Sequence, residues 1–325
     1  MQNVLITGGA GYIGSHTAKA IKKAGFTPVV YDNLSRGFKK LVKFGPLVVG
    51  DLHDSAKLSA TLAEYKPVAC IHFAAFAYVG ESVTDPGLYY RNNVLGSLNL
   101  VEGLLAGDVN KIVFSSTCAT YGQPDVDVIS ETTPQKPINP YGHSKLMVEQ
   151  LLKDFDVSQN LKSVALRYFN ACGADAEGEI GEMHDPEPHL IPRIIMAAQG
   201  RISHIDVMGT DYPTPDGTAI RDYIHVEDLA QAHVQAMNYL LNGGTSDVFN
   251  LGTGKGNSVK QVIEAVRRAS NRDVPVNYAP RRAGDPAHLV ADNSKAKRVL
   301  GFEPKYVDIE ESVRTAYQWH ERKFK

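Results

Sequence analysis

Gly8-Gly9-Ala10-Gly11-Tyr12-Ile13-Gly14 follows the apolar run Asn3–Thr7 directly and opens a segment of helical periodicity over residues 13–24. Glycines between a strand and a helix serve a tight turn, the approach of a pyrophosphate to bare backbone, and close helix–strand packing. Two spacings are satisfied at once: Gly9, Gly11 and Gly14 as G-x-G-x-x-G, and Gly8, Gly11 and Gly14 as G-x-x-G-x-x-G. Further apolar runs follow at 27–31, 47–50, 68–73, 111–115 and 163–167. Most are continuous rather than alternating, which is how strands buried on both faces read. Between them, residues 13–24 close at Gly25, a C-cap residue, and from Asn92 onward Val94, Leu98, Val101 and Leu105 recur at helical spacing. Strand and helix alternating at this pace predict an α/β fold, a Rossmann-type doubly wound parallel sheet.

From residue 172 the texture changes. Residues 172–188 are rich in Gly, Glu, Asp and Pro and predict a long functional loop; a helical stretch follows Pro192, and a last helix lies near 310–323. Two domains are expected, 1–171 with the glycine loop and 172–325 after the change of texture. Segments near 218–252, including the strand-like run Asp247–Leu251, are expected to return to the first.

Asp32 ends the second predicted strand eighteen residues after Gly14. A carboxylate there accepts hydrogen bonds from adenosine ribose hydroxyls and repels a 2′-phosphate, which favours NAD over NADP. Arg36, nearby, pulls the other way. Asn139-Pro140-Tyr141-Gly142-His143-Ser144-Lys145 has the form of a helix start, with Asn139 as cap and Pro140 in the first turn. Tyr141 and Lys145 then project from one face. A tyrosine acts as a base near neutrality only if its phenolate is stabilised. A nearby ammonium, a helix N-terminus and an oxidised nicotinamide ring all act in that direction. Ser115-Ser116-Thr117 stand at the end of the fifth strand, where Thr117 or Ser116 is placed to hydrogen-bond the same reacting hydroxyl.

Composition excludes some classes of partner. With 34 Lys+Arg against 36 Asp+Glu the net charge is −2, which argues against nucleic acid and against an anionic membrane. No apolar stretch is long enough for a membrane span, and the first residues lack the pattern of a signal peptide. Cys70, Cys118 and Cys172 lie far apart, fitting neither a disulfide framework nor a zinc site and suiting a reducing cytoplasm. Residues 185–189 carry possible ligands, but no second group has suitable spacing, so no metal is expected. Cys118 reads as a small buried filler, and His72 and His16 as packed core histidines at least as readily as ligand contacts.

With these pieces in order, the chain resembles the extended short-chain dehydrogenase/reductase family, and within it the UDP-glucose 4-epimerases. The resemblance spans the whole chain. It rests on Thr7–His16, Tyr31-Asp32-Asn33-Leu34, Val79-Gly80-Glu81-Ser82, residues 115–122, Pro140-Tyr141-Gly142, Arg167-Tyr168-Phe169-Asn170, residues 217–226, and Arg281-Arg282-Ala283-Gly284-Asp285. It implies NAD held by the first domain, a UDP-sugar held by the second as a smaller C-terminal α/β substrate domain, and a homodimer built on the helices around 92–105 and 141–155. By the same resemblance Gly8, Gly11, Tyr12, Ile13, Gly14, Asp32, Asn33, Asp51, Leu52, Phe73, Ala74, Ala75, Asn92, Ser115, Lys145 and Phe169 would touch NAD. Tyr141 would take the proton of the sugar's 4-hydroxyl with Thr117 on the same oxygen. Asn170, His189, Leu190, Arg221, Arg282 and Asp285 would hold the nucleotide.

The reaction implied is reversible interconversion of UDP-glucose and UDP-galactose through a 4-keto sugar and NADH. A 4-epimerase of UDP-xylose and UDP-arabinose is the alternative, and a catalytically silent NAD-binding regulator is a third. A 4,6-dehydratase would need Asp-Glu after the threonine, where this chain has Cys118-Ala119. Ala77, His189 and Leu289 depart from residues common in the family at their positions.

Overall fold

The computed structural model describes residues 1–282 and 285–323. The first half runs β1 (Asn3–Thr7), α1 (Tyr12–Lys23), β2 (Thr27–Asp32), β3 (Leu47–Val49), α2 (Ser55–Tyr65), β4 (Ala69–His72), α3 (Val79–Thr84), α4 (Pro86–Tyr89), α5 (Gly96–Ala106), β5 (Lys111–Thr117), β6 (Val128–Ile129), α6 (Pro140–Gln159) and β7 (Lys162–Tyr168). The second half adds β8 (Asn170–Cys172), α7 (Leu190–Ala198), β9 (Ile205–Met208), β10 (Ile220–His225), α8 (Val226–Leu241), β11 (Asp247–Leu251), β12 (Gly256–Ser258), α9 (Val259–Ser270), β13 (Val276–Ala279), β14 (His288–Ala291), α10 (Ser294–Leu300) and α11 (Ile309–Lys323).

The principal sheet has the order β11-β7-β5-β4-β1-β2-β3, and every pairing in it is parallel. Both faces are covered, which explains the continuous apolar runs. Val4, Ile6, Ile71, Val113 and Val164 pack against Ala18 and Ile21 of α1 and Leu229, Ala232, Ala236 and Leu240 of α8. On the opposite face Leu5, Val29, Cys70, Ile112 and Phe114 meet Leu58 and Leu62 of α2, Leu100 and Leu104 of α5, and Val148 and Leu152 of α6. Strand order reverses between β1 and β4, and in doubly wound sheets the crevice at the carboxyl ends of such strands takes ligands.

Asp247–Leu251 joins this sheet as its edge, paired in parallel with β7. A second sheet, β12-β10-β14-β6 with β8 beside β10, draws β6 out of the first half. Helices α7, α9 and α11 enclose a separate core with Ile191, Ile194, Val262, Val266 and Val313. Among the described residues no helix is long and apolar enough to cross a membrane.

Two elements differ from expectation. The helix placed after Pro192 begins two residues before it, at Leu190. Proline is tolerated in a first turn because the N–H groups there have no intrahelical partner in any case. The helix expected from Asn92 is preceded by one wide π-type turn, Tyr90–Leu95, and becomes α-helical only at Gly96. Asn93 in that turn is fully satisfied: its side chain accepts from the Phe76 N–H at 2.8 Å and donates to the Phe76 carbonyl and the Ser144 hydroxyl, each at 3.0 Å.

Candidate active site

A cavity of about 460 Å³ opens at the carboxyl ends of β1, β2, β4 and β5, a size suited to a small-molecule site. Its floor is the glycine loop. Gly8 holds φ at +71°, and a Cβ there would lie 2.5 Å from the Ala74 backbone nitrogen. At Gly14 a Cβ would come within 2.4 Å of the Gly8 carbonyl oxygen. Only glycine fits either position. Gly11 caps α1 with no side-chain hydrogen bond, so no side chain competes for the N–H groups of the first turn. A turn of this build receives an anion such as a pyrophosphate.

Asp32 sits at the rim, its carboxylate accepting from the N–H groups of Ala10 at 3.0 Å and Leu34 at 2.8 Å. Burial pushes this carboxyl up, and the two N–H donors act against it. Arg36 is committed elsewhere. Its guanidinium lies 2.6 Å from Glu81 and covers the rings of Phe76 and Tyr78 at 4.9 and 4.6 Å. Asn33 donates to Asp51 at 2.7 Å, tying the ends of β2 and β3 together at the rim.

The catalytic candidates come from β5 and α6. Asn139 caps α6 by accepting from the Gly142 N–H at 2.8 Å, with Pro140 in the first turn as the sequence predicts. Tyr141, Lys145, Ser115 and Thr117 all line the cavity. Lys145 donates to the Ser115 carbonyl at 2.7 Å and lies over the Phe114 ring. Burial brings its ammonium down to about 7, with the Glu149 carboxylate acting in the opposite direction. Burial likewise holds the Tyr141 phenol well above its ordinary value, and the Thr117 hydroxyl pulls it back. The phenolate expected from the sequence is therefore not favoured by protein groups alone, because desolvation outweighs them.

Ser116 is a correction. Side chains alternate along a strand, so with Ser115 and Thr117 facing the cavity Ser116 faces away. Its hydroxyl donates to Glu149 at 2.5 Å beneath α6, and Thr117 alone is the hydroxyl of this pair in the cavity. Glu149 also takes the Arg167 guanidinium at 2.6 Å.

Gly8, Gly11, Tyr12, Ile13, Gly14, Asp32, Asn33, Asp51, Leu52, Phe73, Ala74, Ala75, Asn92 and Phe169 share the cavity wall, as do Asn170, His189 and Leu190. Arg221, Arg282 and Asp285 do not. Arg221 is paired with Asp285, and Arg282 is exposed. Ala283 and Gly284, which the sequence places in the same turn, lie outside the described residues. His72 is a satisfied core residue, bonded to the hydroxyls of Thr7 at 2.7 Å and Ser97 at 2.8 Å. Cys118 lines the cavity, but burial raises its thiol to about 11, which leaves it a poor nucleophile.

The sequence missed Glu182 and His184, which line the cavity near His189. The signal is two E-x-H pairs, Glu182/His184 and Glu187/His189, of which only the second lies within residues 185–189.

Comparison with known proteins agrees with this architecture. Residues 4–252 match the model of the NAD dependent epimerase/dehydratase family. A UDP-glucose 4-epimerase of Rhizobium meliloti is 53% identical over 321 residues, covering 99% of this chain and 98% of that protein. The crystal structure of a UDP-glucose 4-epimerase from Brucella ovis in complex with NAD superposes with a TM-score of 0.96 at 52% identity, covering 98% of each chain. A UDP-glucose-4-epimerase from Stenotrophomonas maltophila, with bound NAD and formylated UDP-arabinopyranose, has a TM-score of 0.96 at 39% identity over 99% of each chain.

Proposed function

The chain belongs to the NAD dependent epimerase/dehydratase family, and we propose that it interconverts UDP-glucose and UDP-galactose by reversible epimerisation at C4, using NAD. The observation that carries this is one cavity shared by a glycine cradle that admits no Cβ and by Tyr141, Lys145 and Thr117. When bound, NAD supplies a positively charged nicotinamide ring that accepts a hydride and gives it back. Gly8, Gly11, Tyr12, Ile13 and Gly14 hold its pyrophosphate, and Asp32 with Asn33 its adenosine ribose. Asp51, Leu52, Phe73, Ala74, Ala75, Asn92, Ser115 and Phe169 line the rest of its berth.

Tyr141 takes the proton from the sugar's 4-hydroxyl, and Thr117 holds the same oxygen. After the 4-keto sugar has turned over in the cavity, Tyr141 returns the proton. Lys145 contributes positive charge beside the phenol and a donor for the nicotinamide ribose. Asn170, His189 and Leu190 grip the nucleotide from the cavity wall, and Arg221, Arg282 and Asp285 approach it from outside that wall. In this reading residues 1–171 serve NAD and residues 172–325 the UDP-sugar, with segments near 218–252 returning to the first domain. Cys118 and Ala119 follow Thr117 into the cavity without a carboxylate, which favours epimerisation over a 4,6-dehydration that needs an acid and a base there. The relative bound to a UDP-pentose derivative supports UDP-xylose and UDP-arabinose as the second substrate pair to try.

The assembly is proposed as a homodimer through the helices around 92–105 and 141–155, where Leu95 and Met147 are exposed. A reducing cytoplasm is proposed as its location, in keeping with three free cysteines. The decisive experiment is proton NMR of UDP-galactose with purified protein and no added cofactor. Formation of UDP-glucose without net reduction of NAD is the expected result. No conversion of hexose or pentose substrates after NAD is added would overturn the assignment.

A further inference from the structure

We propose that Glu182, His184, Glu187 and His189 form a site for one divalent transition-metal cation of the zinc class, on the wall of the same cavity. All four come from the segment between β8 and α7, and one donor atom from each lies within 4.8 Å of the others. Both imidazoles present Nδ1 to the same carboxylate pair. His189 Nδ1 is 2.7 Å from Glu182 and 3.0 Å from Glu187, and His184 Nδ1 is 3.3 Å from Glu182 and 3.4 Å from Glu187. A tetrahedral ion with ligands at about 2.0–2.1 Å keeps those ligands about 3.3 Å apart. The two His184 separations match that value, and the two shorter ones to His189 are hydrogen-bond lengths that would open when the ion replaces the shared proton.

His184 supplies an independent observation. Its Nδ1 is buried and makes no hydrogen bond, although two carboxylates stand close by. The ring meets no hydrogen-bond geometry with either carboxylate, yet it stands at the distance of a shared ligand sphere from both. It is packed edge-on to Tyr12 and Tyr78, and the two glutamates are only 6% and 8% exposed. Two carboxylates balance a divalent charge once the ion has displaced the imidazole protons and left both rings neutral, the form that ligates. Two imidazoles with two carboxylates select zinc, cobalt, nickel or copper over magnesium and calcium.

The other convergent acidic group gives the contrast. Asp175, Glu177 and Glu179 are already filled by the Lys19 ammonium at 2.7, 2.5 and 2.6 Å.

The test uses the full-length, NAD-containing protein, treated with a chelator and titrated with Co²⁺ and then Zn²⁺. One equivalent of Co²⁺ is expected to bind with the visible absorption of a tetrahedral nitrogen–oxygen site and no thiolate charge transfer. Its proton NMR spectrum should carry two exchangeable, paramagnetically shifted imidazole N–H resonances, and Zn²⁺ should displace it. His184→Asn and Glu187→Gln should each weaken binding by at least about a hundredfold, beyond the loss of a merely supporting partner, with circular dichroism and NAD content retained. Absent binding, a thiolate signature, or wild-type affinity in either variant would overturn the site. If neither variant folds, the wild-type resonances decide, and fewer than two imidazole signals refutes it.

Discussion

Replacing Glu149 by glutamine should destabilise the protein far more than its loss of a single charge suggests. Glu149 and Arg167 are 7% and 5% exposed, under α6 and against β7. Arg167 Nη2 donates to Oε2 at 2.6 Å, and its Nε is shared between Oε1 at 3.0 Å and Oε2 at 3.2 Å. Ser116 donates to Oε1 at 2.5 Å and Gln135 to Oε2 at 3.1 Å. An amide cannot satisfy this set. With its NH₂ at Oε2 it meets the donors of Arg167 and Gln135. With its NH₂ at Oε1, Ser116 can reverse its hydroxyl but the Arg167 Nε cannot turn. In either orientation the guanidinium stays buried without a counter-charge. Two charge-assisted hydrogen bonds lost or weakened at about 1.5–3 kcal/mol each agree with about 3–5 kcal/mol for stripping one partner from a buried pair. Urea unfolding followed by circular dichroism, at one fixed NAD concentration, measures the difference. Ser116→Ala, which leaves the ion pair intact, should cost about 1.5 kcal/mol, the low end for one hydrogen bond to a charged group. A Glu149→Gln loss below about 1 kcal/mol at unchanged slope would refute the reasoning.

Tyr141→Phe should cut turnover by at least about a hundredfold while bound NAD is retained; near-normal conversion of UDP-galactose would remove Tyr141 from the mechanism. Gly14→Ala places a methyl 2.4 Å from the Gly8 carbonyl, so the purified variant should carry little NAD, read from the cofactor released on denaturation; full occupancy would contradict the cradle. Lys145 titrates near 7 when folded and at its ordinary 10.5 when unfolded, so across that window the unfolded chain binds the extra proton. Its contribution therefore makes folding more favourable as pH rises from about 7 toward 10.5, and the stability of wild type relative to Lys145→Met should climb over that range. A flat difference would show that Lys145 is not desolvated. Gel filtration at micromolar concentration should give a dimer, and a clean monomer would remove the proposed α5/α6 contact.

The principal sheet was legible because its strands are buried on both faces. The six runs read from the sequence correspond to β1, β2, β3, β4, β5 and β7, with ends displaced by two residues at most. The second sheet was not. Val128–Ile129, Asn170–Cys172 and Gly256–Ser258 are two or three residues long, too short for any period, and become strands only through partners far along the chain. In the site, Tyr141, Thr117 and Asp32 were readable because strand ends and a capped helix start place them. By residue type Ser116 and Thr117 offer the same hydroxyl, and only the alternation of the strand separates them. Nor does sequence spacing reveal desolvation, which decides the protonation of both Tyr141 and Lys145.

The position of β11 has a consequence during synthesis. The parallel sheet is complete only when Asp247–Leu251 lies beside β7, a strand that ends at Tyr168. Some eighty residues separate them. At about 5–20 residues per second, a ribosome leaves the exposed edge of β7 bare for roughly 4–16 s while β8, α7, β9, β10 and α8 emerge. An unpaired parallel edge is a template for association between chains. The nascent protein is therefore most vulnerable to aggregation in that interval, and a stall between residues 168 and 251 should expose it to chaperones.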